Sequence, residues 1–321
     1  MKAGTFTHLW PAVLLLTAQL ALAQAYPSHP IRVIVPFSPG SATDILARLI
    51  GPKLTESWGQ QVITDNRPSA GGTVAGGIVA AAAPDGHTLL LTSSAFAGSA
   101  ALYEKLPYDT VKDFAGVTQI ASTPVLLVAA AGIGVKSVKD LIALAKQKPG
   151  QIAYGSSGIG SGTHFAAELF NLTAGISVVH VPYRGSPEVL NDVIAGRLQF
   201  AMTPVLVAVP LVRSGRVLAI GVTSTQRLPM VQDVPPIAEG LPGFEYDGWF
   251  GALAPARTPR AIVNKLSREI GRILQLPDVI ERITSTGALP RSSTPEEFDK
   301  LVRTEIAMRT KVFKAAGAKA E

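Results

Sequence analysis

At two points in the chain, the sequence places glycines and hydroxyl side chains directly in front of a predicted helix. The first stretch, VPFSPGSATDILARL, spans residues 35–49, and the second, IAYGSSGIGSGTHFAAELF, spans residues 152–170. The apolar, strand-like run Ile31–Val35 leads into the first stretch and the run IAY begins the second, and an apolar run at helical spacing follows each loop. A helix N-terminus offers unpaired backbone N–H groups and a partial positive charge. The chemistry that this pattern favours is therefore the binding of an anion.

Local hydrogen bonding is the competing explanation for both loops. Ser41, followed three residues later by Asp44, fits a capping box with aspartate in the place of the usual glutamate. Glycine commonly serves turn geometry alone, so either loop taken singly has a purely structural explanation. Two such loops in separate lobes would instead line a cleft with a helix N-terminus on each wall, which suits a small dianion.

Other strand ends carry further candidate contacts. Tyr183 and Arg184 follow the run SVVHVP, and Arg184 could either pair with a carboxylate directly or serve as a surface or inter-loop residue. Ser93 and Ser94 end the run HTLLLTSS, where bonding to nearby backbone is the simpler explanation for their hydroxyls. His164, at the start of the helix after the second loop, is expected to brace that loop rather than act as a general base.

Composition narrows the class of protein. Of 321 residues, 47% are hydrophobic and 16% are charged, which predicts a chain with a large apolar core rather than a disordered one. The net charge is +6, but lysines and arginines are scattered without interleaved aromatics, so nucleic-acid binding is disfavoured. The chain has no cysteine, which excludes disulfides, thiolate nucleophiles and cysteine metal sites.

The patterns of common enzymes do not fit. GSSGIG resembles the glycine fingerprint of short-chain dehydrogenases, but the chain's Tyr-x-x-x-Lys pair, Tyr108 with Lys112, lies upstream of it, in the wrong order. No Gly-x-Ser-x-Gly elbow surrounds a serine of the second loop. The histidines beyond the leader, His29, His87, His164 and His180, show no metal-ligand spacing. We therefore expect neither catalytic residues, nor a metal, nor a cofactor.

The first 25 residues are typical of a secretory leader. Lys2 precedes the apolar run AVLLLTAQLALA, which is too short to span a bilayer comfortably, and small-x-small cleavage patterns end at Ala23 and Ala25. The sequence thus predicts a signal peptide over residues 1–25, cleaved near Ala23 or Ala25, and an exported, periplasmic mature protein.

Beyond the leader, strand-like and helix-like segments alternate, which predicts an α/β fold with mostly parallel strands. Long apolar segments near 117–130 and 217–224 bracket a second series of such segments, and we interpret them as crossovers between two lobes. The predicted division is a discontinuous first lobe, 26–122 with 224–321, and a second lobe, 123–223.

With these residues laid out, the chain resembles the Bug-type periplasmic solute-binding proteins, the extracytoplasmic receptors of tripartite tricarboxylate transporters. The resemblance covers essentially the whole mature chain. It runs in order through YPSHPIRVIVPFSPGSATDILAR, NRPSAGGTVAG, PDGHTLLLTSS, YGSSGIGSGTH, VPYRGSPEVLNDVIAGRLQFAM, LAIGVTSTQR and GWFGALAPARTP.

The resemblance implies a two-lobed, type II-like periplasmic-binding-protein fold, with a ligand cleft between lobes joined by crossing strands. In the family, the two loops hold a ligand carboxylate through backbone amides, small side chains and waters. Ser41 stands where the family usually has a second glycine, and Thr203 where many members carry an aspartate. The candidate ligand contacts are Phe37, Ser38, Gly40, Ser41, Ala42, Thr43, Asp44, Ser94, Ser156, Ser157, Gly158, Ser161, Thr163, His164, Tyr183 and Thr203.

The expected function is that of an exported receptor, not an enzyme, which captures a di- or tricarboxylate or an aromatic acid. Its expected partners are that ligand and the integral membrane subunits of a transporter, with no nucleic acid and a monomeric state. A periplasmic α/β hydrolase and a binding protein recruited for signalling are the alternatives that the sequence leaves open.

Overall fold

The computed structural model describes residues 26–69, 72–183 and 185–318. The predicted signal peptide and Arg184 lie outside these ranges. The strands are β1 (Ile31–Val35), β2 (Val62–Asn66), β3 (Thr88–Ser93), β4 (Phe114–Thr123), β5 (Val125–Ala130), β6 (Ala153–Ser156), β7 (Val179–Pro182), β8 (Phe200–Pro204), β9 (Val217–Val222), β10 (Gly248–Pro255) and β11 (Leu289–Pro290).

The helices alternate with these strands along most of the chain, as predicted. They are α1 (Ala42–Trp58), α2 (Thr73–Ala80), α3 (Ala95–Leu102), α4 (Val138–Gln147), α5 (Gly162–Ala174), α6 (Ser186–Ile194), α7 (Val205–Arg213), α8 (Ile237–Gly240), α9 (Arg260–Ile273), α10 (Pro277–Thr284) and α11 (Pro295–Ala316). Within the described residues, no helix is both long enough and apolar enough to cross a membrane.

Each of the two domains is built on one sheet. Among the described residues, sheet 1 has six strands in the order β11-β4-β10-β3-β1-β2, and sheet 2 has five in the order β7-β6-β8-β5-β9. Helices cover both faces of both sheets. Residues of β5 show this directly: Val125, Leu127 and Ala129 join one apolar cluster, whereas Leu126, Val128 and Ala130 join the other. Such a strand is a continuous apolar run because both of its faces are buried.

The expectation of mostly parallel strands needs correction, because both sheets are mixed. β1 pairs in parallel with β2 and β3, and β6 with β7 and β8. By contrast, β5 is antiparallel to β8 and β9, and β10 is antiparallel to β3 and β4. β5 and β10 are the first strands after the chain passes between sheets. Neither is joined to a neighbouring strand of its own sheet by a βαβ crossover, the connection that parallel neighbours need.

The chain passes between the two sheets twice. It leaves sheet 1 at Pro124, between β4 and β5, and returns through residues 223–247 to β10. Thr223 joins the two crossings, since its N–H donates to the Val125 carbonyl and its Oγ1 accepts from the Val125 N–H, both at 3.0 Å. The apolar segment predicted as a crossover near 217–224 is mainly β9, a strand of sheet 2.

Helix α11 spans both domains. Phe298 and Val302, near its start, pack in the cluster that covers one face of sheet 1. Val312 and Phe313, near its end, pack in a cluster of sheet 2. The return crossing also packs on sheet 2, through residues such as Val234 and Tyr246. The exact lobe boundaries stay a prediction.

Candidate functional site

The first loop ends in a capped helix whose side chains hold the loop in shape. Ser41 precedes α1, and its Oγ accepts the Asp44 N–H at 3.3 Å. The Asp44 carboxylate accepts the Gly40 N–H at 2.8 Å rather than that of Ser41, so the predicted capping box is displaced by one residue. Gly40 has φ +82°, a conformation that glycine adopts without strain. The first N–H groups of α1 remain outside the helix's own hydrogen bonding.

The Asp44 carboxylate is therefore a structural group of the loop. It is 3% exposed and pairs with Arg48 at 3.0 Å. Burial raises the pKa of the Asp44 carboxyl, but hydrogen bonds from Arg48 and the Gly40 N–H outweigh it and hold that pKa below its usual value. Arg48 in turn donates to Asn66, whose amide donates to the Phe37 carbonyl at 3.0 Å.

The second loop repeats this geometry in the other domain. Ser161 precedes α5, and its Oγ accepts the His164 N–H at 3.1 Å, while Nδ1 of His164 accepts the Gly160 N–H at 3.1 Å. Ser161 has φ −63° and ψ 161°, against −65° and 159° at Ser41, and Gly160 has φ +79°. The two loops therefore share one local structure, with the sequence GSATD at residues 40–44 and GSGTH at residues 160–164.

Two stacked histidines support the second loop from inside its domain. The rings of His164 and His180 lie 4.1 Å apart, and Nε2 of His180 meets the Ser156 Oγ at 2.7 Å. Burial lowers the pKa of His180 to about 4, and burial together with the charges of His180 and Arg309 lowers that of His164 to about 3. Both imidazoles are consequently neutral at neutral pH, and Nδ1 of His164 must be unprotonated to accept the Gly160 N–H.

Strand register brings the candidates of each domain to one sheet edge. In sheet 1, the parallel strands β1 and β3 pair with Ile34 opposite Leu90, so both end at the same edge of the sheet, shortly before Ser38 and Ser94. In sheet 2, Gly155 lies opposite Ala201 and Ser156 opposite Pro182, which puts Ser157 beside Thr203 and Tyr183. The two edges meet: an added Cβ at Gly162 would lie 3.5 Å from the Ser94 Oγ.

The candidate ligand contacts differ in their exposure to solvent. Partly or fully exposed are Phe37, Ser38, Gly40, Ser41, Ala42, Ser157, Gly158, Ser161 and Tyr183, whereas Thr43, Asp44, Ser94, Ser156, Thr163, His164 and Thr203 are buried. Several hydroxyls bond within the loop; Thr163 Oγ1 accepts the Ser157 N–H at 3.0 Å and meets the Ser157 Oγ at 2.8 Å. The Tyr183 hydroxyl donates to Asp192.

Thr203 differs from the other buried candidates. It is fully buried, and its Oγ1 has no hydrogen-bond partner within the described part of the chain. A buried hydroxyl without a partner is costly, so it marks a place where a water or a ligand atom would be stabilising.

Ser156 and His180 lie in contact, as a nucleophile and its general base would, but their surroundings do not suit catalysis. Ser156 is fully buried, and its Oγ also bonds to the Gly158 carbonyl at 3.3 Å. Among the described residues, no carboxylate orients the other nitrogen of His180 by a hydrogen bond. A catalytic triad needs an accessible hydroxyl and an oriented base, and this pair offers neither.

One group of possible metal ligands lies where β1 and β3 begin, at the opposite end of these strands from the first loop and Ser94. His29, Asp85 and His87 each place one donor atom within 4.8 Å of the others. The rings of His29 and His87, however, stack face to face with their centroids 3.6 Å apart. Nε2 of His87 already accepts the Ser28 N–H at 3.2 Å. This arrangement serves packing better than coordination.

Sequence reasoning missed a set of residues where the domains touch. Tyr246 meets the Ser94 Oγ at 3.4 Å and accepts from Arg309 at 3.2 Å. Gly98 of α3 lies against Gly160 of the second loop. The apolar stripe of α11 offered a signal, because Arg309 falls on it at helical spacing from Val302 and Val312.

Comparison with known proteins decides the family. The family model described as "Tripartite tricarboxylate transporter family receptor" matches residues 46–318. The chain belongs to this receptor family. The resemblance drawn from the ordered motifs is thereby confirmed.

Individual relatives agree over nearly the whole length of this receptor. One relative is the "UPF0065 protein in tcbD-tcbE intergenic region" of Pseudomonas sp. (strain P51). The two sequences are 39% identical, and the match covers 88% of this chain and 84% of the relative. The receptor is 34% identical to Protein BugT of Bordetella pertussis, covering 92% of each chain.

Solved structures give the same picture of the fold. The structure titled "R. palustris Rpa4515 with adipate" has a TM-score of 0.79 and 35% identity, covering 92% of the receptor and 99% of that chain. MatC (Rpa3494) of Rhodopseudomonas palustris with bound malate has a TM-score of 0.75 and 34% identity, covering 89% and 99%. The two-domain α/β fold of periplasmic solute-binding proteins is confirmed.

Proposed function

We propose that this receptor captures a small dicarboxylate in the periplasm, between its two domains, and delivers it to the membrane subunits of a transporter. The observation that carries the proposal is the repeated loop, which sets a capped helix N-terminus at the facing edge of each domain. Each N-terminus suits one carboxylate. The proposed contacts are the sixteen candidates of the two sheet edges, with Asp44 and His164 acting through the loops that they hold.

The relatives support this choice of ligand class. Rpa4515 was solved with adipate and MatC with malate, and both ligands are dicarboxylates. A periplasmic location follows the same family membership, with export directed by the predicted signal peptide. We infer a binding role rather than an enzymatic one, which membership of a transporter-receptor family supports.

A thermal-shift comparison of matched ligands tests the proposal. Adipate and malate should be compared with the corresponding diamides, which keep length and shape but carry no charge. A diacid present at about a hundred times its dissociation constant should raise the free energy of unfolding by about 2.7 kcal/mol. Equal shifts with diacid and diamide, or no shift across a panel of di- and tricarboxylates, would reject the proposal. Mass spectrometry of the molecule released from denatured protein would identify the natural ligand.

Thr203→Val tests whether the unpartnered hydroxyl belongs to the ligand site. Because that hydroxyl bonds to no described residue, its removal should leave the ligand-free protein as stable as before, or more so. If a ligand carboxylate supplies the partner, binding should weaken by about ten- to a hundredfold. Thr173→Val, which removes an exposed hydroxyl bonded to the Leu169 carbonyl, is the matched control. Unchanged affinity in a folded Thr203→Val protein would remove Thr203 from the site.

A further inference from the structure

The two domains touch at a contact that contains no ligand-binding candidate side chain. Gly98 lies in the middle of α3, on the side of sheet 1, and faces the carbonyl oxygen of Gly160 in the second loop. A Cβ at position 98 would lie closer than 3.0 Å to that oxygen, a separation that real Cβ atoms essentially never show. The close approach of the loop to α3 therefore requires a glycine.

Arg309 of α11 packs against the same contact between Gly98 and the second loop. One of its terminal nitrogens, Nη1, lies 3.5 Å from the Cβ position of Gly98. The guanidinium carbon stands 4.2 Å from the ring of Phe165 in α5, a cation–π contact with the other domain. The side chain is fully buried, so the charge lies entirely within the junction.

The other partners of Arg309 tie it to both domains. Nε and Nη2 donate to the Glu305 carboxylate at 2.9 and 2.7 Å, and Glu305 also accepts from Nε1 of Trp249 in β10. Nη2 donates further to Tyr246 on the return crossing. Nη1 has no hydrogen-bond partner in the described ranges, although it is directed toward the place where α3 and the second loop meet.

We propose that Gly98 and Arg309 form a closure seam that sets how far the two domains close over the ligand. They are positioning residues, because they act on the second loop and on the angle between the domains rather than on the ligand. This inference rests on the proposed function, in which closure completes the site. In this proposal the seam forms only when the domains close, so it raises the closed fraction, and the measured affinity scales with that fraction.

The glycine gives the sharper test. Alanine is the better helix former, so Gly98→Ala should favour α3 itself, yet its methyl group would wedge the second loop away. We expect a larger radius of gyration by small-angle scattering, without and with diacid. We also expect about a tenfold weaker affinity for the diacid that stabilises the wild type, as for a closed fraction reduced to one tenth. Gly77→Ala in α2 is the matched control, because its Cβ would meet Pro107 at an ordinary 3.6 Å.

A second variant reaches the same seam by different chemistry. Glu305→Gln with Arg309→Met removes the buried charge pair and the free Nη1, but keeps a carbonyl acceptor for Trp249. It should show the same expansion and weaker binding as Gly98→Ala, with Glu269→Gln plus Arg272→Met on the exposed face of α9 as its control.

The scattering of ligand-free protein needs no ligand, so it tests the seam even if the wild type binds no diacid and the proposed function fails. Wild-type dimensions and affinity in both folded variants would overturn the proposal. If only the double variant keeps the wild-type dimensions and affinity, while Gly98→Ala changes both, Arg309 does not belong to the seam.

Discussion

Arg309→Met, with Glu305 retained, should lower the free energy of unfolding by about 3–5 kcal/mol, as expected when one partner of a buried ion pair is removed. Glu305 is 4% exposed and would keep only Trp249 as a described side-chain donor. Its carboxylate would then remain in an apolar junction without a compensating charge. Chemical denaturation at pH 7 measures the effect.

Two comparisons separate this effect from a general loss of charge. Arg272→Met breaks an exposed ion pair with Glu269 and should cost less than about 1 kcal/mol. Adding Glu305→Gln to Arg309→Met should recover much of the lost stability, because the stranded charge is gone. A single variant as stable as the wild type would show that water reaches Glu305, contrary to the burial described above.

The stacked histidines should make stability depend on pH. In the folded chain the pKa of His164 is lowered to about 3 and that of His180 to about 4, whereas both take the ordinary value near 6.5 when unfolded. Below pH 6.5 the unfolded chain therefore binds more protons, so their contribution is present above that pH and is lost as the pH falls. At pH 5 the two together should have lost about 2–4 kcal/mol, with His180 counted at less than its full share because it is less buried.

The contribution of the histidines can be isolated by conservative replacement. His164→Asn keeps an acceptor for the Gly160 N–H, the amide of His180→Gln can donate to or accept from the Ser156 Oγ, and neither side chain titrates. Burial raises the pKa of Glu168, and that of Asp247 to about 6, so these carboxyls act in the opposite sense. We therefore expect the difference in unfolding free energy between wild type and double variant to shrink from pH 7 to pH 5. A constant difference would contradict buried, neutral rings. His29→Gln, at an exposed ring, is the control.

Much of the site architecture could be predicted from the sequence, because its signals are local. Glycine before serine, a polar residue three positions on, and an apolar helix after it indicate a capped N-terminus, as found at Ser41 and Ser161. Strand β1 was predicted with the bounds that the structure has. The shift of the capping partner to Gly40 was not predictable, since it depends on where the Asp44 carboxylate meets Arg48.

What escaped prediction depends on contacts between distant segments. Helix α3 has small residues on all sides, so its sequence shows no helical stripe. The antiparallel entry of β5 and β10 follows from how the chain passes between sheets, which no local window contains. Arg309 lies on the apolar stripe of α11, but an arginine in a helix rich in charge is ordinarily taken as exposed. Its burial depends on Glu305, Trp249 and Phe165 together.

The position of α11 also has a consequence for how this protein acquires its structure. Sheet 1 needs Phe298 and Val302, and sheet 2 needs Val312 and Phe313, so neither apolar core is complete until α11 docks. A chain emerging from a translocation channel with its N-terminus first would hold two unfinished domains, each with apolar surface still uncovered. Docking of one helix would then complete both together. A chain cut short before α11 would lack part of each core and present that surface to proteases.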